Sequence, residues 1–220
     1  KGAGLSAGDV DRTILVVKAP YMTRVGDGPF PTEMGGDESE EWCRNANKHI
    51  ELNKFGHLML TTVTNEFELG IYTRGIGNEI GATTGRLRRV GWLDLVSARY
   101  AMRVNCTSHI ALTKLDVLCG YRKIKVCMAY RYTGPDFQCG DQTIRANDEI
   151  TNFIPAAEFL QYCQPIYKEF EGYGDISQMK SREDMRKDKN LDGFLELFAL
   201  EGFTIDLIST GADRNQTILC

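Results

Sequence analysis

Gly81-Ala82-Thr83-Thr84-Gly85-Arg86-Leu87-Arg88-Arg89-Val90-Gly91-Trp92-Leu93-Asp94 is the stretch from which the rest of the chain is best read. Two hydroxyls, a glycine hinge and three guanidiniums stand close together, and an apolar, helix-like run follows at once. Arginine is a planar fork suited to carboxylate and phosphate. Flanking glycines let a backbone approach a ligand closely. The stretch reads as a mobile anion-binding loop leading into a helix, although a solvated basic turn has the same composition.

The whole chain bounds what that anion can be. Its 220 residues suffice for one large domain or two small ones. A chain of this length buries roughly 70% of its unfolded surface and needs no disulfide staples. It is 42% hydrophobic and 25% charged, an ordinary globular composition. A net charge of −4 gives no overall drive toward nucleic acid or a membrane surface. A basic loop on an acidic chain points instead to a small anionic ligand. No apolar run approaches the roughly 20 residues that span a bilayer. Lys1-Gly2-Ala3-Gly4-Leu5 lacks the apolar core of a secretion signal. The seven cysteines show no C-x-x-C spacing, and several lie inside apolar runs such as Val126-Cys127-Met128. They read as reduced thiols of a cytosolic protein. Cys43, His49 and His57 match no common zinc spacing.

Upstream of the loop, Thr13-Ile14-Leu15-Val16-Val17 reads as a buried strand. In Thr23-Arg24-Val25-Gly26-Asp27-Gly28-Pro29-Phe30-Pro31-Thr32-Glu33, two glycines and two prolines forbid helix and define a rigid loop. Such a loop holds a ligand in many α/β proteins, or is simply a turn. Asp37-Glu38-Ser39-Glu40-Glu41 reads as solvated, residues 42–57 as a helix, and residues 58–67 as a strand or hairpin arm. Downstream, Leu93, Val96, Tyr100 and Val104 fall on one face of a helix over residues 94–105, with Asp94 at its start.

His109-Ile110-Ala111-Leu112 is a strand that runs into Thr113-Lys114-Leu115-Asp116. A carboxylate there can accept two hydrogen bonds from the N1–H and exocyclic amine of guanine, while the lysine stem lies along the base. Adenine offers no matching pair of donors. Each charge-assisted bond is worth about 1.5–3 kcal/mol. Alone, a Lys-x-Asp triplet is equally the makeup of a surface ion pair. Residues 123–132 alternate Ile124, Val126, Met128 and Tyr130 against Lys123, Lys125 and Arg131, the pattern of a half-buried strand. Another strand is expected over residues 142–145, and a turn at Glu171-Gly172-Tyr173-Gly174-Asp175. Leu191, Phe194, Leu195 and Phe198 make a helical stripe within residues 188–200. A last strand, residues 203–208, ends at Ser209-Thr210-Gly211-Ala212-Asp213-Arg214.

Four of these stretches, in this order, resemble the C-terminal half of adenylosuccinate synthetase: the Thr23 to Glu33 loop, the Gly81 to Asp94 stretch, Leu112-Thr113-Lys114-Leu115-Asp116, and Ile208-Ser209-Thr210-Gly211. The resemblance implies an α/β fold. It would be the C-terminal part of a large central-sheet, P-loop-NTPase-like nucleotide-binding fold with helices on its faces. It implies a GTP- and magnesium-dependent ligase that joins L-aspartate to IMP through 6-phosphoryl-IMP, in a cytoplasmic homodimer. Aspartate would meet Ala82, Thr83, Thr84, Gly85, Arg86, Leu87 and Arg88. IMP would meet Val25 and Arg86. GTP would meet Arg88, Lys114, Leu115, Asp116, Ser209, Thr210 and Gly211. The family's catalytic residues and magnesium ligands belong to its N-terminal half, with a glycine-rich phosphate loop, an Asp and a His that have no counterpart in this sequence. Residues 1–220 are therefore expected to be one synthetase-like unit, inactive by itself, with residues 34–75 as an insertion. Ala212 stands where the family usually has Pro. A related ligase for a guanylate-type purine nucleotide, or a non-catalytic guanine-nucleotide-binding remnant, would share the same stretches.

Overall fold

A computed structural model describes residues 9–220, so the reading of Lys1-Gly2-Ala3-Gly4-Leu5 lies outside the described residues. The first apolar run forms β1 (Leu15–Lys18), breaks at Ala19 and Pro20, and resumes as β2 (Tyr21–Arg24). Three helices follow: α1 (Gly36–Asn45), α2 (Lys48–Phe55) and α3 (Glu66–Gly77). Next come β3 (Arg89–Asp94), α4 (Leu95–Val104), β4 (His109–Thr113) and the long β5 (Lys123–Tyr132). A small outer lobe holds β6 (Phe137–Cys139), β7 (Gln142–Ile144), β8 (Glu149–Ile150) and α5 (Ala157–Leu160). The chain closes with β9 (Cys163–Glu171), α6 (Arg182–Arg186), α7 (Lys189–Leu200), β10 (Thr204–Ser209) and β11 (Thr217–Leu219).

Two sheets carry the fold. One has the order β1-β4-β10-β11, with β1, β4 and β10 parallel and β11 antiparallel. The other runs β2-β3-β5, with β8 and β9 both on β5. The break after Lys18 passes the chain from one sheet to the other. Ala19 N–H still donates to Thr113 O in the first sheet, and Leu93 N–H donates to Pro20 O in the second, each at 3.0 Å. A continuous core lies behind this junction, built from Ile110 and Leu112 of β4, Val90 and Trp92 of β3, and the α7 stripe of Leu191, Phe194, Leu195 and Phe198. Asp188 caps α7 by accepting from Asn190 N–H and Leu191 N–H.

Several local expectations are corrected. The run after the arginine loop is not helical at first. It is β3, all six residues of which are buried. A strand covered on both faces loses its alternation, so periodicity cannot distinguish it from a helix. The glycine-rich loop follows β2 and not the first strand. Helix α4 starts only at Leu95, where Asp94 Oδ1 accepts from Val96 N–H at 2.9 Å and Ser97 N–H at 3.2 Å. Leu93 thus belongs to the strand and Val104 is exposed, which leaves Leu95 and Val96 as the buried face. The single helix over residues 42–57 is two, because Asn47 caps α2 through His49 N–H and Ile50 N–H. Residues 58–67 form no strand. Thr62 and Thr64 hydroxyls bond to Met59 O and Glu68, local contacts that compete with a ladder, and Asn65 caps α3. The acidic run is only partly solvated: Ser39 is buried and Glu40 is ion-paired. In β5 the alternation holds to Val126, then slips at a bulge between Cys127 and Ala129. The expected strand over residues 142–145 is β7, whereas β9, paired along most of β5, had no expectation.

Candidate functional site

Three parallel strands end at one edge. Lys18 lies opposite Thr113, and Ile208 opposite Leu112, so Lys18, Lys114, Ser209 and Thr210 emerge side by side. The carboxyl ends of parallel strands are where open α/β sheets hold their ligands. Lys114 turns the chain with φ 65°, and its Nζ donates to Gly77 O at 3.0 Å. A 3₁₀ turn, Leu115–Leu118, follows, pinned by the fully buried Leu115. Asp116 is half-buried there, and its carboxylate takes no hydrogen bond or ion pair from the described residues. Across the edge, Ser209 Oγ donates to Gly211 O at 2.7 Å, and buried Thr210 donates its N–H to Gln216 O at 2.8 Å. A Cβ at Gly211 would come within 2.2 Å of Gln216 Oε1, so the Gln216 side chain packs closely over this glycine.

A buried carboxylate organises the cations of this edge. Glu79, 1% exposed, receives Lys18 Nζ at 2.8 Å on both oxygens, Tyr21 OH at 2.6 Å on Oε1 and Arg88 Nη1 at 2.8 Å on Oε2. Burial acts to raise the Glu79 pKa, but the bonds from Lys18, Tyr21 and Arg88 outweigh it and hold the carboxyl below its usual range. Burial pushes the Lys18 ammonium down, and the nearby charges of Arg88 and Lys114 add to that despite Glu79. Lys18, Arg88 and Lys114 around the buried Glu79, with Asp116 alongside, leave an edge suited to a polyanion that also carries a base.

Residues 82–88 form a closed turn. Gly81 N–H donates to Arg86 O and Gly85 N–H to Gly81 O, both at 2.8 Å, and Ile80 bridges to Leu87. Gly85 sits at φ 64°, where a side chain would be strained. Ala82, Thr83, Thr84, Gly85 and Arg86 are exposed, while Leu87 is buried and anchors the turn. Arg86 takes no ion pair from the described residues. Its alternating neighbours point apart: Arg86 lines one cavity while Arg88 joins Glu79 at the strand edge.

That cavity, of about 330 Å³, brings Val25 and Arg86 together with Asp27, Cys43, Arg44 and Arg89. Thr83 and Thr84 are exposed on the turn and are not among its lining residues. Arg89 is buried, ion-paired to Glu33 and Glu40, and donates to the carbonyls of Gly26 and Gly28 at 3.1 and 2.7 Å. Sequence reasoning missed Lys18, Tyr21 and Glu79, and it counted Arg89 among the anion-binding guanidiniums, whereas Arg89 is buried in ion pairs with Glu33 and Glu40. The one available signal was Lys18 at the end of an apolar run, the position from which a strand presents its last side chain. Among the described residues, no three His, Cys, Asp or Glu side chains gather in a way that could hold a metal ion. No helix among them is long and apolar enough to cross a membrane.

A sequence profile of the adenylosuccinate synthetase family matches residues 1–218. The chain is 37% identical over 221 residues to an adenylosuccinate synthetase of Thermoanaerobacter sp., covering 99% of this chain and 41% of that protein. It is 38% identical over 221 residues to the one from Pelotomaculum thermopropionicum, covering 99% of this chain and 40% of that protein. It thus spans about two fifths of the length of these curated relatives. Among solved structures, fully ligated adenylosuccinate synthetase from Plasmodium falciparum matches with a TM-score of 0.69 and 26% identity, over 100% of this chain and 42% of that one. The mixed α/β architecture is that of this P-loop-type fold.

Proposed function

The chain belongs to the adenylosuccinate synthetase family, and from that premise we propose that it carries the aspartate loop and the guanine-reading edge of a GTP-dependent ligase joining L-aspartate to IMP. In that reaction the purine 6-oxygen attacks the γ-phosphoryl group of GTP, giving 6-phosphoryl-IMP and GDP. The aspartate amine then displaces phosphate at C6, giving adenylosuccinate. Magnesium would neutralise the GTP phosphates. Among the described residues no three His, Cys, Asp or Glu side chains gather to hold it, and its ligands would come from the N-terminal part of the enzyme.

In this reading the turn of residues 82–88 receives aspartate. The Thr83 and Thr84 hydroxyls and the exposed Arg86 fork hold its carboxylates, with backbone from Ala82, Gly85 and Leu87. Val25 and Arg86, which share a cavity, face IMP. Arg88, held by Glu79, reaches the GTP phosphates. The guanine base lies over Lys114 and Leu115, with Asp116 on its N1–H and amine, and Ser209, Thr210 and Gly211 close the far side. Residues 1–220 act as one unit in which residues 34–75 are an insertion, and the protein works in the cytoplasm as a homodimer.

The observation that carries this reading is the Asp116 carboxylate, which takes no hydrogen bond or ion pair from the described residues and lies beside the carboxyl ends of three parallel strands. The test is Asp116→Asn in a chimaera that joins this chain to the N-terminal part of the Thermoanaerobacter relative. Xanthine carries a C2 carbonyl where guanine carries an amine, so an asparagine amide matches it. The variant should lose GTP turnover and gain XTP turnover, with the KM for IMP nearly unchanged. Equal losses for GTP and IMP, without any gain for XTP, would remove Asp116 from the base site.

A further inference from the structure

Helices α1 and α2 reach the two candidate ligand loops through polar contacts, directly from Glu40 and, from Glu51, by way of Arg74 of α3. Glu40 of α1 accepts Gly28 N–H at 3.2 Å and pairs at 3.0 Å with the buried Arg89. Arg89 itself holds the carbonyls of Gly26 and Gly28. Asn47, between the helices, forms a β-bridge with Arg86. Glu51 of α2 takes the Arg74 guanidinium in a bidentate pair, Nε at 2.9 Å and Nη2 at 2.7 Å, and accepts the Trp42 indole N–H at 2.8 Å. Arg74 is 1% exposed, and its Nη1 donates to the backbone carbonyl of Arg88 at 2.9 Å.

We infer that α1 and α2 form a positioning brace that fixes the Val25 loop and the turn of residues 82–88 relative to each other, with Glu40 and Glu51 as its two positioning residues. Both loops contain glycines at positive φ: Gly26 at 79°, Gly28 at 107° and Gly85 at 64°. Glycine loses the most conformational freedom on ordering, so such loops stay ordered only when tethered. Local partners also hold them, Glu33 on Arg89 and Glu79 on Arg88, but the tethers common to both loops come from one helical pair. Glu40 holds one loop by its amide and, through Arg89, by its carbonyls. Glu51 holds the other through Arg74. Ligand groups on loops must be held to fractions of an ångström to be productive, and a shared brace does this for both at once. Arg74 and Arg89 are fully committed inside the protein, which leaves Arg86 and the outer face of Arg88 for ligands. The functional meaning of the brace rests on the ligand assignment proposed above, but the brace itself is tested without any ligand.

The experiment is amide hydrogen exchange, read by NMR on the 220-residue chain. Glu51→Gln should speed exchange at least tenfold at the amides of Gly81 and Arg88, which close the turn. Leu112 and Val126, in core strands, should keep their rates. Glu40→Ala should speed exchange at least tenfold at Gly28 and leave Arg88 slow. Glu51→Asp, which keeps the charge, should restore most of the protection. Uniform acceleration that includes Leu112 and Val126 would reduce the pair to ordinary stability and overturn the inference, as would unchanged exchange at Gly81 and Arg88. Where Glu51→Gln does not fold, Trp42→Phe removes only the indole donor to Glu51. It should still give a several-fold selective increase at Arg88, and no selective increase overturns the brace. A chain whose amides respond as stated, but which shows no affinity for GTP or IMP in the chimaera, would sink the functional reading and leave the brace standing.

Discussion

Glu79 lies beneath the strand edge with both carboxylate oxygens 2.8 Å from Lys18 Nζ. Replacing it with glutamine leaves Lys18 and Arg88 facing a neutral group. Removing one partner of a fully buried pair costs about 3–5 kcal/mol. Here Lys18 and Arg88 keep 29% and 33% side-chain exposure, so solvent screens part of the loss, and about 2 kcal/mol is expected for Glu79→Gln. Urea denaturation measures it. A loss below about 0.5 kcal/mol would show that this hub is solvated in the native protein.

Acid dependence separates two buried carboxylates of opposite sign. The Glu79 pKa is lowered on folding, so its stabilisation is complete above the ordinary carboxylate range and fades as pH falls through the depressed folded value. The Asp94 pKa is raised, chiefly by burial against the bonds from Tyr130 and the backbone. Its folded form therefore binds a proton more tightly, and its contribution falls as pH rises from the unfolded value through the folded one. Stability measured from pH 3 to 7 should keep its acid loss in Asp94→Asn and lose part of it in Glu79→Gln. Identical profiles for both variants would overturn the assignment.

Tyr130 donates its hydroxyl to Asp94, the same carboxylate that caps α4. Asp94→Ala removes the cap, worth about 1 kcal/mol, and strands a buried hydroxyl, worth about 1–3 kcal/mol. The sum expected is about 3 kcal/mol. Tyr130→Phe removes the donor as well, so the double variant should cost less than the two single losses added together. Strict additivity would mean that the two side chains are not coupled.

Gly91 sits in β3 where a Cβ would lie 2.6 Å from Thr32 O and 2.7 Å from Phe30 Cζ. Gly91→Ala should push away the loop that carries Val25, at a cost of about 1–3 kcal/mol from overpacking. In the chimaera it should also raise the KM for IMP more than that for GTP. An equal rise for both would place the damage outside the loop.

Arg86→Ala should raise the KM for aspartate by roughly 10- to 100-fold, the equivalent of about one charge-assisted bond. Steady-state kinetics in the chimaera measures it. An unchanged aspartate dependence would remove Arg86 from that role.

Much of this arrangement was legible because it depends on local chemistry. The α7 stripe, the capping Asp94, the strand before Lys114 and the turn after Ser209 each follow from side chains within a few residues of one another. The missed elements depend on partners distant in sequence. β3 reads as helix-like because both its faces are covered by segments that the local pattern does not reveal. β9 acquires its extended form from pairing with β5. Glu79 looks like one more acidic residue until β1, β2 and the turn of residues 82–88 bring Lys18, Tyr21 and Arg88 around it. Residues 58–67 carry strand-like composition, but threonine hydroxyls satisfied nearby remove the need for a neighbouring strand.

The bulge in β5 has an evolutionary corollary. Before it, Ile124 and Val126 face the core that backs the strand edge; after it, Tyr130 and Tyr132 face a separate cluster with Phe159 and Leu160. One extra residue lets a single strand serve two packing units that share few side chains, Tyr167 among them. Apolar substitutions in the outer lobe are therefore largely separated from the half that carries the strand edge, to which the lobe is joined by Tyr167 and by the Tyr130–Asp94 hydrogen bond. Among homologues the two sets of positions should drift as separate covarying blocks, joined through Tyr167 and the Tyr130–Asp94 pair, so the rest of the lobe is free to be remodelled while the other half stays under its own constraints.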